Sequence, residues 1–177
     1  MTKEKKILGE KRRELILKWL KSSEDPITGN ELAQRANVSR QVIVQDISIL
    51  KARKHPIIST AQGYMYMQQE RPSRVKRMVV CKHTPEETRE ELITFVDHGV
   101  TVEKVIVEHA LYGELSGSLM LSSRHDVERF CEKLEKTNAS PLSTLTDGVH
   151  LHLVEADSEE QIDLAVEALR ERGFILD

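Results

Sequence analysis

Histidine is the residue whose placement in this chain could do chemistry. Six of its seven histidines fall after residue 80. His150 and His152 stand at i, i+2 in GVHLHLVEA, a segment that reads as a strand, so both rings leave the same face. Two imidazoles so placed can grip one divalent ion. His83 ends a neighbouring candidate strand and begins HTPEETREEL, where Glu86, Glu87, Glu90 and Glu91 offer carboxylates from the first turns of a helix. Three histidines with one glutamate suit zinc, nickel, iron or another divalent transition metal, and an open coordination position would admit a small ligand. Taken alone, His-x-His is also the pattern of two surface histidines. Cys81 shares strand parity with His83, as an extra ligand or as core. Cys131 falls on the apolar face of a helix and reads as core. His98 and His125 stand at helix ends and His55 precedes a proline; none of the three is given a role.

A second constellation lies near the N-terminus. ITGNELAQRANVSRQVIVQDISIL has the form of a helix-turn-helix, in which one helix braces across the DNA backbone and the next enters the major groove. Thr28 and Ser39 are suited to cap the two helices, with Asn37-Val38 as the turn. The recognition helix opens with Ser39-Arg40-Gln41, at an N-terminus whose N–H groups can meet phosphate. Arg40 can read guanine bidentately, and Gln41 or Gln45 adenine. The runs IIST and YMYM around Gly63 read as a hairpin wing, with Gln62 and Tyr64 placed near its tip. Lys3, Lys5, Lys6, Lys11, Arg12 and Arg13 are read as a basic arm. The plain alternative is a three-helix bundle with a solvated basic face.

The elements that must carry these residues follow from periodicity and breakers. A first helix over about 10–22 sets Leu15, Ile16, Trp19 and Leu20 on one face, and Pro26 ends that region. QQERPSRVK is polar and reads as a linker. Beyond it, strand and helix patterns alternate as β-α-β-β-α-β-α, with Pro85 opening one helix and Ser158 with Gln161 forming a capping box for the last. The expected fold is α+β: a winged helix-turn-helix over 1–67, a linker over 68–76, and a second domain over 77–177 with helices on one face of a largely antiparallel sheet.

Charge divides the same way. Residues 1–77 carry 17 Lys+Arg against 8 Asp+Glu, a balance of +9, whereas 78–177 carry 9 against 21, a balance of −12. A basic half can neutralise phosphates that an acidic half would repel. Aromatics make up 4% of the chain, so Leu, Ile and Val must build the cores. Two isolated cysteines form no disulfide framework, the charged start MTKEKKILGEKRREL has no apolar signal core, and no apolar run is long enough to span a membrane. A cytoplasmic protein without a membrane partner is expected.

KHTPEETREEL, VIVEHALYGELSGSL, PLSTLTDGVHLHLVEA and ALRERGFIL together resemble the three-histidine (3H) domain, which follows a winged helix-turn-helix in the niacin-responsive repressors of NAD biosynthesis and niacin uptake. The resemblance spans nearly the whole chain. It implies an HPr-like second domain, a homodimer on double-stranded operator DNA, a bound divalent metal and nicotinic acid as co-repressor. Carried onto this sequence, the metal ligands are His83, Glu91, His150 and His152, with Glu87 and Glu90 the neighbouring candidates for the carboxylate. The remaining family histidine segment corresponds to Glu108-His109, and His109 with Tyr112 is expected to hydrogen-bond or stack on the pyridine ring, against the alternative of turn packing. The competing readings are a sensor in which the metal is itself the signal, a metal-dependent hydrolase, and a DNA-binding module with an inert second domain. No GxSxG or HExxH motif supports a hydrolase.

Overall fold

Apolar spacing and caps make the first unit three-helical. In α1 (Gly9–Ser22) the buried positions Ile16 and Leu20 recur one turn apart. Thr28 caps α2 (Gly29–Ala36) by accepting from the Glu31 amide at 3.1 Å. Asn37 turns the chain with φ of 50°, and Ser39 then caps α3 (Arg40–Ala52) by accepting from the Val42 amide at 3.4 Å. Ile43, Ile47 and Leu50 of α3 meet Ile16, Leu20, Leu32 and Ala36 in one core. Strands β1 (Ile57–Thr60) and β2 (Gly63–Tyr66) pair antiparallel as the wing. Ile27 is stitched to the wing by two backbone bonds with Tyr64, of 2.8 and 2.9 Å. Gly63 sits at that approach with φ of +135°; a Cβ there would lie 2.5 Å from the Ile27 carbonyl oxygen, so only glycine fits.

The computed structural model describes residues 8–67 and 74–177, and the chain divides into two units on either side of the intervening stretch. The readings of Lys3, Lys5 and Lys6 and of most of the linker lie outside the described residues. The linker reading is shortened at its end: β3 (Val75–Lys82) already includes Val75 and Lys76.

The second unit is a four-stranded sheet in the order β3-β6-β4-β5, every pair antiparallel. Its other elements are α4 (Thr88–Asp97), β4 (Thr101–His109), β5 (Gly113–Leu121), α5 (Arg124–Thr137), β6 (Val149–Ala156) and α6 (Glu159–Glu171), with 3-10 turns at Pro85–Glu87 and Leu142–Thr146. Helix α4 packs between α5 and α6 over the sheet. Leu92 and Phe95 of α4 and Ile162, Ala165 and Leu169 of α6 are fully buried there. Ser158 and Gln161 form the expected capping box. A bulge shifts the register of β4 between Val102 and Lys104. The C-terminal tail returns along β3: the Lys82 amide donates to the Phe174 carbonyl at 2.8 Å, and Ile175 bridges Cys81.

Much of the basic charge read from the sequence is used inside the units. Arg12, expected in a DNA-binding arm, is buried and donates to Asp46 at 2.5 Å, and Arg13 reaches the same carboxylate at 3.1 Å. These pairs join α1 to α3. Arg74 and Lys76 neutralise Glu155, Asp157 and Glu103, and Arg77 holds Asp163 and Glu159. Among the described residues, no helix is long and apolar enough to cross a membrane.

Removing Asp46 would take a buried carboxylate away from the Arg12 guanidinium that it faces. Asp46→Ala is expected to cost about 3 kcal/mol, whereas Glu31→Ala, which breaks an exposed pair with Arg35, should cost about 0.5 kcal/mol or less. Urea unfolding followed by fluorescence of Trp19, the single tryptophan, measures both; equal costs would overturn the assignment of Asp46 as the lock.

Candidate metal centre

Each histidine is fixed by a backbone carbonyl. His83 lies just past β3, and its Nδ1 is 2.8 Å from the Thr84 carbonyl oxygen. Nδ1 of His150 is 2.9 Å from the Gly148 carbonyl, and that of His152 is 3.0 Å from the Lys104 carbonyl beside the β4 bulge. A carbonyl can only accept, so each Nδ1 carries a proton, and Nε2 is the ring nitrogen turned toward the site. All three Nε2 atoms converge on one carboxylate. His83 Nε2 is 2.8 Å from Glu91 Oε2, and His150 and His152 Nε2 are 2.9 and 3.2 Å from Oε1. All four side chains are buried, Glu91 being 1% exposed.

The sequence leaves Glu86, Glu87, Glu90 and Glu91 as candidate carboxylates, and the fold separates them. Glu87 accepts from the Thr84 amide at 2.8 Å and closes a capping box that starts the helical segment. Glu90 faces outward to Arg172, and Glu86 is exposed. Only Glu91, on the inner face of α4, meets the imidazoles.

Burial works against the charge on Glu91, but the three imidazoles outweigh it and hold its carboxyl well below the ordinary carboxylate range. Burial likewise disfavours charge on His83, yet the bond to Glu91 leaves its pKa raised. The His83 and His152 Nε2 atoms are buried, and the Glu91 carboxylate is the polar group they meet, at 2.8 and 3.2 Å. His150 Nε2 and the Glu91 carboxylate are 2.9 Å apart, and a bond between two acceptors needs a proton, whose place a metal ion could take. The three Nε2 atoms and the carboxylate suit a cation placed among them, with the Nδ1-to-carbonyl bonds supplying the outer support that metal-ligating histidines use. The donor set fits a divalent metal. Cys81, paired in register with His150, belongs to the same cluster: one donor atom from each of Cys81, Glu91 and His150 lies within 4.8 Å of the others.

A cavity of about 30 Å³ adjoins the centre, lined by His83, Glu91 and His152 and by Thr88, Leu92, Phe130, Leu142 and Ser143 among others. It has room for roughly one water molecule. The Thr88 hydroxyl is buried there without a partner.

The two residues expected on a ligand ring are elsewhere. His109 and Tyr112 occupy the β4–β5 turn, Tyr112 70% exposed, and His109 Nδ1 accepts from the amides of Leu111 and Tyr112 at 3.1 and 3.3 Å. They pack the turn, and the fold does not bring them to the histidine cluster.

In the first unit, Ser39, the cap of α3, and Arg40, Gln41 and Gln45 on it are all exposed, with Gln41 and Gln45 one turn apart. The wing residues differ from expectation. Gln62 is 6% exposed, with its Nε2 buried, and the Tyr64 ring packs against the core. The two-residue turn folds Gln62 inward, so neither residue forms an exposed wing tip.

Two family models match in order: an HTH domain over residues 12–65 and the 3H domain over 76–177. The chain is 51% identical to the transcription repressor NadR of Bacillus subtilis, over 99% of both proteins. It belongs to the 3H-domain transcription repressors. A probable transcription repressor, NiaR of Thermotoga maritima, is 40% identical over 97% of both chains. The family is one of DNA-binding regulators, so the hydrolase reading is set aside.

Sequence reasoning about this 3H-domain repressor missed the supports of the site. Phe174 packs its ring 5.3 Å from that of His83, centroid to centroid. Gly148 is the other. Its carbonyl accepts from the His83 amide and from His150 Nδ1, at φ of +88°, and a Cβ would collide with the His83 carbonyl oxygen. The signal available was the DG pair immediately before VHLH. Gly148→Ala is expected to cost about 2 kcal/mol and to remove any stabilisation by added divalent metal. Thermal unfolding with and without metal tests this; a variant stabilised by metal as strongly as the parent would refute the role.

Proposed function

We propose that this protein is a cytoplasmic, homodimeric repressor that binds operator DNA through α3 and senses nicotinic acid as co-repressor at a divalent metal held by His83, Glu91, His150 and His152, thereby restraining NAD biosynthesis or niacin uptake. The observation that carries the reading is the convergence of three carbonyl-anchored imidazole Nε2 atoms on one buried carboxylate. The names NadR and NiaR of its relatives support the link to NAD and niacin.

The chemistry of the ligand suits the site. Nicotinic acid is a flat pyridine with a carboxylate, and a metal offers either group an electrophile. The adjoining cavity has apolar walls in Leu92, Phe130 and Leu142 and polar atoms in Thr88 and Ser143. A pyridine ring exceeds its volume, so binding requires the Leu142–Thr146 turn or the Phe130 side chain to yield. That displacement is where occupancy can be converted into conformation. In a homodimer, two recognition helices must match major grooves about 34–36 Å apart. A ligand that favours this geometry tightens DNA binding, and DNA tightens ligand binding by the same factor.

Calorimetric titration of nicotinic acid, with nicotinamide as comparison, into metal-loaded and chelator-stripped protein tests the proposal. Nicotinic acid should bind the loaded form alone and tighten operator band shifts at least about tenfold. Binding that ignores the metal, or DNA affinity that falls with ligand, would overturn it. A metal that shifts operator affinity without nicotinic acid would favour the metal as the signal. At the DNA face, Arg40→Ala should lower operator affinity by about 1–3 kcal/mol and relax specificity. An equal loss on random DNA would reassign Arg40 to a phosphate.

A further inference from the structure

The chain has two cysteines, and the fold treats them differently. Cys131 lies on α5, buried among core side chains and beside Arg89. Cys81 is fully buried on β3, directly opposite His150 of β6, on the sheet face that carries the histidines. A structural cysteine ordinarily packs as a small hydrophobe. Cys81 instead stands against an ionised carboxylate, within 4.8 Å of donor atoms of both Glu91 and His150. The Nε2 atoms of His83 and His152 meet the same carboxylate, at 2.8 and 3.2 Å.

We propose that Cys81 is a further ligand of the metal centre, so that the ion is held by three imidazoles, one carboxylate and one thiolate. This rests on the metal reading above. On coordination the sulfur–metal bond forms and the thiol proton leaves to solvent, because a bound divalent cation deprotonates a coordinating thiol outright. The set of donors then has a definite preference. Imidazoles and a carboxylate alone admit manganese, whereas a thiolate favours zinc, cobalt, nickel or iron and disfavours magnesium, calcium and manganese. The same sulfur gives the centre a group that oxidants can modify once it is a thiolate.

Cobalt(II) added to the untagged full-length protein provides the test. Its visible d–d bands report occupancy by any donor set. A near-ultraviolet thiolate-to-cobalt charge-transfer band reports sulfur alone. The wild type and Cys131→Ser should show both signals. Cys81→Ser should keep the visible bands, lose the charge-transfer band and hold cobalt at least about tenfold more weakly, the lower end of what outer-sphere partners alone cost. If Cys81→Ser does not fold, a charge-transfer band that persists in Cys131→Ser still assigns the sulfur, since no third cysteine exists. Visible bands without charge transfer in the wild type would overturn ligation by Cys81 and leave the metal centre standing. Absence of both signals would overturn both.

Discussion

One buried carboxylate organises the second unit. Glu91 has no solvent to stabilise its charge, and an isolated buried anion is among the most costly things a fold can contain. Two side chains from β6 and one from just past β3 are therefore turned toward it, and a sulfur lies beside them. Much of the surrounding architecture serves this arrangement. The Thr84–Glu87 capping box fixes where the helical segment begins and so which carboxylate points inward. The β4 bulge stands beside the carbonyl that orients His152. The tail lays Phe174 against His83.

Local rules made the order of elements legible. Caps at Thr28, Ser39 and Ser158, a breaker at Pro26, a helix-opening proline at Pro85, and period-two alternation in VHLHLVEA each act within a few residues. The structure places helices and strands where they imply. The site was legible wherever spacing alone decides: His150 and His152 share a face because two residues along a strand must do so. Selecting Glu91 from four glutamates required the helix phase, which turns on the 3-10 turn at Pro85–Glu87. Contacts between distant segments were not legible. Nothing local tells Arg12 that Asp46 will be its partner, so an internal lock reads as part of a DNA-binding arm. Gln62 reads as an exposed tip because a polar residue in a turn is usually solvated, yet the wing turn folds it inward. His109 has the residue type of a ligand, but the strand carries it out to the hairpin end.

Charge shows the same divide between composition and structure. The basic balance of the first 77 residues includes Arg74, Lys76 and Arg77, which neutralise carboxylates of the second unit. It also includes Arg12 and Arg13, which are committed to Asp46. The side chains exposed at the start of α3 are Ser39, its cap, with Arg40, Gln41 and Gln45.

The small cavity beside the histidines has a consequence in time. At about 30 Å³ it admits a water molecule but no aromatic ring. Anything larger that reaches Glu91 has to displace part of this lining, which includes Leu142 and Phe130. Association is then paced by the protein's own opening and falls below the diffusion-controlled rate. Departure is paced in the same way.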